Sequence, residues 1–265
     1  GHREPSLHRG LELGVIDDYT LDLNSAIDQA DIIVIATPTL MASQMLEQIL
    51  PRLRGRDRCP VITDVASVKG NLQRSAESVW GCMPPSLVLG HPIAGSERSG
   101  VDASDENLFV RHRVILTPVA GNDPAAVDLV RAMWTSTGAE VVSMDVAEHD
   151  SVLAATSHLP HILAYALVDA LAQSDASEDI FKFATGGFRD FTRIASSDPV
   201  MWRDIALANK EALLGAIDMF SEHLVDLRQA VADDSAEQLL DTFRSAKTAR
   251  DEFAAILASR QTPAS

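Results

Sequence analysis

The chain has 265 residues, with 22 lysines and arginines against 38 aspartates and glutamates and a formal net charge of −16, enough for one large domain or two ordinary ones with a real core. This acidity argues against a nucleic-acid partner, which needs a basic surface, and any anionic ligand must sit in a local basic pocket working against the overall field. Cys59 and Cys82 fall in no CxxC pattern, and no apolar run approaches the roughly 20 residues of a membrane span, so we expect a cytoplasmic protein with neither disulfide framework nor membrane partner.

The opening Gly1-His2-Arg3-Glu4 suits the end of a strand, where an acidic side chain meets an adenosine ribose and a basic one accepts a 2′-phosphate. His2 and Arg3 are therefore candidate cofactor contacts. The GxGxxG dinucleotide fingerprint is absent, and we expect a first βα unit ahead of Gly1, because a sheet stripped of its central strand exposes an apolar edge. Ile32–Thr37 is a continuous apolar run ended by Pro38, the pattern of a strand buried on both faces. A helix over 40–53, a strand at 61–64, a helix over 70–80 and a strand at 87–90 follow. Strands at 114–117 and 140–143 flank a helix over 124–137. This alternation predicts βαβ units and a mostly parallel sheet.

Ligands of such sheets bind beyond the C-terminal strand ends. Three ends carry polar residues: Thr37-Pro38-Thr39, the stretch Asp64–Gly70 with Ser67 and Lys69, and Gly90–Glu97 with His91. Each alone reads as an ordinary turn, but three in one sheet point to a site, with Thr37, Pro38 and Ser67 as cofactor contacts. A neutral imidazole at His91 could take a proton in catalysis; its rival reading is a hydrogen-bonded turn histidine.

After Met144 the pattern becomes helical. Residues 147–173 read as one long helix, and amphipathic helices over 202–231 and 235–257 predict an all-α domain, 146–265, that dimerises beside a nucleotide-binding domain over 1–145. His149-Asp150 opens the long helix, and His158 and His161 share one of its faces. With His91 these could in principle hold a metal, but Pro160 and the lack of an HExxH pattern weigh against one. In Gly186–Ile205, Arg189 and Arg193 flank Asp190, and Pro199 starts a helix carrying Trp202. Guanidinium forks suit a carboxylate ligand. The competing reading pairs them with Asp190, Asp198 or Asp204 on a solvated face.

Taken in order, TDVASVKG, GHPIAGSERSG, the HD of 148–151, SHLPH and GGFRDFTRIASSDPVMWRDI resemble the prephenate dehydrogenase family, which includes arogenate and cyclohexadienyl dehydrogenases. The likeness runs to about Phe253. It implies a Rossmann-type α/β domain, here without its first βα unit, joined to an all-α dimerisation domain. It also implies oxidative decarboxylation of prephenate to 4-hydroxyphenylpyruvate, or of arogenate to tyrosine, by a short monofunctional enzyme using NAD, with His2 and Arg3 leaving NADP open. By the same resemblance His91 takes the proton of the ring hydroxyl, Ser67 orients either His91 or that hydroxyl, and Arg193 holds the ring carboxylate. Arg189 and Asp190 position Arg193, Glu97 orders the pocket, and His149, His158, His161 and Trp202 line it. Two other readings stand beside this one: a non-catalytic homologue that senses an aromatic-pathway acid, and a histidine/carboxylate metallohydrolase.

Overall fold

The computed structural model describes residues 3–56, 58–95 and 100–261. The chain starts with α1 (Glu4–Glu12) and α2 (Leu23–Asp28). Glu4 thus opens a helix, capped by Arg3 in an extended conformation, where the sequence suggested a strand end. Pro5 explains the difference, because its fixed φ and missing N–H suit a first helical turn.

Three parallel strands follow: β1 (Ile32–Ile35), β2 (Val61–Asp64) and β3 (Leu87–Val88), in the order β1-β2-β3. They are linked by α3 (Thr39–Leu53) and α4 (Gly70–Trp80). Leu46, Ile49, Leu50 and Leu53 recur at helical spacing on α3 and are buried, with Leu72 and Ala76 of α4, against Ile62, Leu87 and Leu89. Leu89 separates β3 from β4 (Gly90–Ile93), which runs antiparallel to β5 (Arg113–Leu116); β5 is parallel to β6 (Glu140–Ser143). Between β5 and β6, α5 (Pro124–Ser136) buries Ala126, Val130 and Trp134 on Val88, Val114 and Leu116. Leu87 and Leu89 therefore face one helical layer and Val88 the other, the two-residue alternation of a sheet covered on both sides. The first strand departs from this pattern. It ends at Ile35, and Val34 is 42 % exposed, so the expectation of burial on both faces fails there: among the described residues β1 pairs only with β2.

The remainder is helical. Asp145 caps α6 (Val146–Leu153) by accepting from the N–H groups of Ala147 and Glu148. A π-helical turn at Ala154–His158 then leads into α7 (Leu159–Ala172), with the Leu159 N–H bonded to Ala154 O, five residues back. Pro160 accounts for the widened turn: it lacks an N–H, and its ring would crowd the carbonyl one turn earlier. The predicted single helix is therefore interrupted at the histidines. By length and composition Val146–Ala172 would also suffice to cross a membrane, contrary to the sequence reading, although it carries His149, Asp150, His158 and His161 and packs on the site described below. Next come α8 (Ser177–Lys182), α9 (Gly186–Thr192), a 3-10 turn at Arg193–Ser196 and α10 (Pro199–Ala208), which Asp198 caps through the Met201 N–H at 2.8 Å. The chain breaks at Asn209 before α11 (Lys210–Ala232) and ends in α12 (Ala236–Gln261), so the predicted 202–231 helix is two helices. Residues Gly1–Leu213 form one compact unit and Leu214–Ser265 a second. In the second unit Val225, Val231 and Phe243 are exposed.

Candidate active site

His91 stands in β4 opposite Ile115. Its Nδ1 lies 3.0 Å from His149 Nε2, and His149 Nδ1 lies 2.8 Å from Asp150 Oδ1. Asp150 also accepts from the backbone N–H groups of Lys69 (2.9 Å) and Gly70 (2.8 Å) at the start of α4. Hydrogen-bond logic sets the tautomers. A carboxylate only accepts, so His149 carries its proton on Nδ1. With His149 uncharged its Nε2 accepts from His91 Nδ1–H, and His91 is left with a bare Nε2. Burial first, then the Lys69 ammonium and repulsion from His149 and His158 whenever those rings take up a proton, hold His91 well below the ordinary histidine pKa. The ring is neutral near pH 7 and its free nitrogen is a proton acceptor. Burial pushes Asp150 up, but bonds from His149 and the two backbone groups outweigh it, and its carboxyl titrates below the usual value.

Two further histidines continue the cluster with opposite polarity. Asn209 donates Nδ2–H to Asp150 O (2.8 Å) and lies 3.1 Å from His158 Nδ1, which makes that nitrogen an acceptor and leaves His158 a donor at Nε2. His161 instead donates Nδ1–H to Ser157 O at 2.9 Å, so its Nε2 is the acceptor. Its ring stacks on Trp202 at 3.5 Å between centroids, while His158 meets the same indole edge-on at 6.1 Å. Trp202 in turn packs with Val68, Ile205 and Ala208, which fastens α10 to the loop after β2. Tyr165 OH donates to Ser197 O at 2.7 Å and ties α7 to the start of α10.

Burial pushes His158 from 6.5 down to about 4, with Asp150 opposing. The unfolded chain then holds a proton that the folded chain lacks between about pH 4 and 6.5, so stability falls as pH drops through that window. This one group accounts for about 3 kcal/mol. Denaturant titrations at pH 7 and pH 4.5 should show the loss, and His158→Gln should flatten the slope.

Of the predicted site residues, the structure brings His91, His149, His158, His161 and Trp202 together. Ser67 lies half-buried on the β2–α4 loop, just after Ala66, and its hydroxyl makes no hydrogen bond among the described residues. Arg193 opens the 3-10 turn after α9, and its charge depresses His161 after burial and the Ser157 bond are counted. The guanidinium therefore acts on the far end of the histidine cluster. Arg189 and Asp190 bind each other at 3.1 Å and are both largely exposed in this chain; for Arg189 the local pairing considered from sequence is what is found. Asp204 pairs with Arg203 at 2.6 Å. His2 and Glu97 lie outside the described residues. Asp64, Lys69 and Asn209 went unassigned or underrated in the sequence. The only signal for the first two was an acidic strand end with a lysine five positions later.

Just after β1, Thr37 Oγ1 is buried without a hydrogen-bond partner among the described residues, and Pro38 leads directly into α3. An orphaned hydroxyl beside a helix start, at the C-terminal end of a parallel strand, fits the place a nucleotide takes in such sheets.

Fold and site together define a Rossmann-type nucleotide-binding protein with an appended helical domain. The family model for the prephenate dehydrogenase nucleotide-binding domain matches residues 2–143, and that for the prephenate dehydrogenase dimerization domain matches 145–245. The chain belongs to the prephenate dehydrogenase family. It is 41 % identical over 248 residues to prephenate dehydrogenase of Bacillus subtilis strain 168, covering 91 % of this chain and 64 % of that protein. Cyclohexadienyl dehydrogenase of Zymomonas mobilis is 34 % identical, with 91 % of this chain and 81 % of the relative covered. The crystal structure of A. aeolicus prephenate dehydrogenase with hydroxyphenyl propionate and NAD+ superimposes with a TM-score of 0.85 at 37 % identity, over 96 % of this chain and 87 % of that one.

Proposed function

We propose that the protein oxidatively decarboxylates prephenate to 4-hydroxyphenylpyruvate, or arogenate to tyrosine, in tyrosine biosynthesis, using NAD. The observation that carries this reading is the Asp150–His149–His91 chain, which ends in a neutral imidazole with a bare Nε2. His91 Nε2 takes the proton of the ring hydroxyl as the carbon bearing it is oxidised. Arg193 holds a substrate carboxylate by a charged fork. Ser67 orients the hydroxyl, and His158, His161 and Trp202 shape the pocket. Thr37, Pro38, Ser67 and the His2–Arg3 segment would hold the cofactor, which when bound would supply the hydride acceptor. Loss of carbon dioxide leaves an aromatic ring, and that gain drives the reaction, so the protein has mainly to align the partners and receive one proton. Arg189 and Asp190 serve as supports of Arg193, and Glu97 orders the pocket.

The division into a nucleotide domain over 1–145 and a helical domain over 146–265 belongs to this reading, as does a homodimer. The apolar side chains left exposed on α11 and α12 and the modest burial of Val146–Ala172 suit a face that a second subunit covers.

The test is an assay with prephenate and NAD, reading reduced nicotinamide, together with calorimetry of each ligand. Turnover supports the dehydrogenase. Binding of prephenate without any dinucleotide would replace it with the sensor reading. Arg193→Gln should raise KM by an amount equivalent to roughly 2–4 kcal/mol while kcat changes little; an unchanged KM would remove Arg193 from the substrate site.

A further inference from the structure

The chemistry above gives no task to the most deeply buried Lys–Asp pair among the described residues. The side chains of Lys69 and Asp64 are both 0 % exposed and ion-paired with each other. Lys69 Nζ also donates to Gly90 O at 2.6 Å, while Asp64 accepts from the N–H groups of Gly90 at 3.1 Å and Ala66 at 2.8 Å. One ion pair thus grips both backbone groups of the residue just before His91, and the backbone of the residue just before Ser67. The approach is close: a Cβ on Gly90 would stand 3.2 Å from Asp64 O and 3.2 Å from Leu116 Cδ2. A buried pair is no cheap way to fix a backbone, since apolar packing of equal volume is often as stable. Its location next to the imidazole gives it a second use.

We propose that Lys69 is a positioning residue for His91: with Asp64 it locks the strand of the imidazole to the Ser67 loop, and its ammonium supplies the fixed positive charge that keeps that imidazole uncharged. Among the described residues the groups whose charge acts on His91 are Lys69, His149 of α6 and His158 of the π turn; the nearby carboxylates are Asp64, paired with Lys69, and Asp150, bonded to His149. Asp150 is the carboxylate on the His149 side, and its charge is engaged by His149 and two backbone N–H groups. Asp64 is engaged by Lys69 itself, and it opposes the burial that draws the Lys69 ammonium below the ordinary lysine range. After burial, Lys69 is the leading influence that disfavours protonation of His91. The use of a bare Nε2 as base rests on the dehydrogenase reading; the electrostatic claim does not.

The experiment is a histidine NMR titration of the parent protein, Lys69→Gln and Lys69→Arg, with the His91 signal assigned by its absence in His91→Asn. Gln can still donate to Gly90 O but carries no charge, whereas Arg keeps the charge. The parent should keep His91 neutral well below the usual histidine range, Lys69→Gln should raise its titration point by about one unit, and Lys69→Arg should leave it near the parent. The acid limb of the kcat/KM profile should move with it. Equal titration in all three, or a parent ring that titrates at the ordinary value, overturns the proposal. Should Lys69→Gln not fold with Asp64 left unpaired, the double variant Lys69→Gln/Asp64→Asn, which strands no buried charge, takes its place: it should raise the His91 titration point above the parent, and an unchanged value overturns the proposal. Because the NMR readout needs no turnover, a protein inactive on prephenate but showing these shifts would sink the dehydrogenase reading and keep this one.

Discussion

His91→Asn should lower kcat by about 10²–10⁴-fold while KM for prephenate stays close to the parent value. Asn is the informative replacement because its amide can still donate to His149 Nε2, as His91 Nδ1–H does across 3.0 Å. The relay keeps its last hydrogen bond and the strand its packing. What disappears is the unprotonated ring nitrogen. Without it the hydroxyl proton must leave to water in a site where His91 itself is only 8 % exposed, and the acid limb of the pH–rate profile should vanish along with the rate. Steady-state kinetics across pH, with isothermal titration of prephenate into the variant, give both numbers. Tight binding with lost turnover supports a base at position 91, whereas normal turnover would leave His91 as a turn residue bonded to a helix.

The elements most legible in the sequence were those with a clean period. α3 and α4 follow from apolar positions three and four apart, and β2 and β6 lie at the short β-type stretches 61–64 and 140–143. Two kinds of feature were hidden. The first is local geometry that depends on one residue in context: Pro160 reads as an obstacle to a metal site, yet its effect is a π turn that sets the phases of His158 and His161. Asn209 likewise ends α10 and starts a new helix because its side chain is spent on Asp150 O and His158. The second is contact between distant segments. His91 and His149 are 58 positions apart and meet only because α6 packs beside the start of α4. Periodicity carries no information on such a meeting. A buried lysine is the least expected of all, since Lys is rarely inside unless paired, and its partner Asp64 reads as turn punctuation.

Asp150→Ala should cost about 3–5 kcal/mol of stability and, separately, lower kcat by about 10²-fold or more. The carboxylate answers three donors at once: His149 Nδ1–H and the N–H groups of Lys69 and Gly70, all within 2.9 Å. Removing it strands two backbone donors at the beginning of α4, which has no side-chain cap of its own, and that loss falls on the fold. Removing it also frees His149 to carry its proton on Nε2. In that state His149 donates to His91 Nδ1, and the proton of His91 shifts to Nε2, the nitrogen that must be bare. Asp150→Asn separates the two losses. Turned with its oxygen at the Oδ1 position, the amide still accepts from His149 and Lys69 and fails only Gly70, so the relay keeps its tautomers while the helix start is weakened. Turnover should therefore recover further in Asn than in Ala, and stability should recover only in part. Equal kcat in the two variants would mean that Asp150 serves the fold alone and that the tautomer of His91 is set elsewhere.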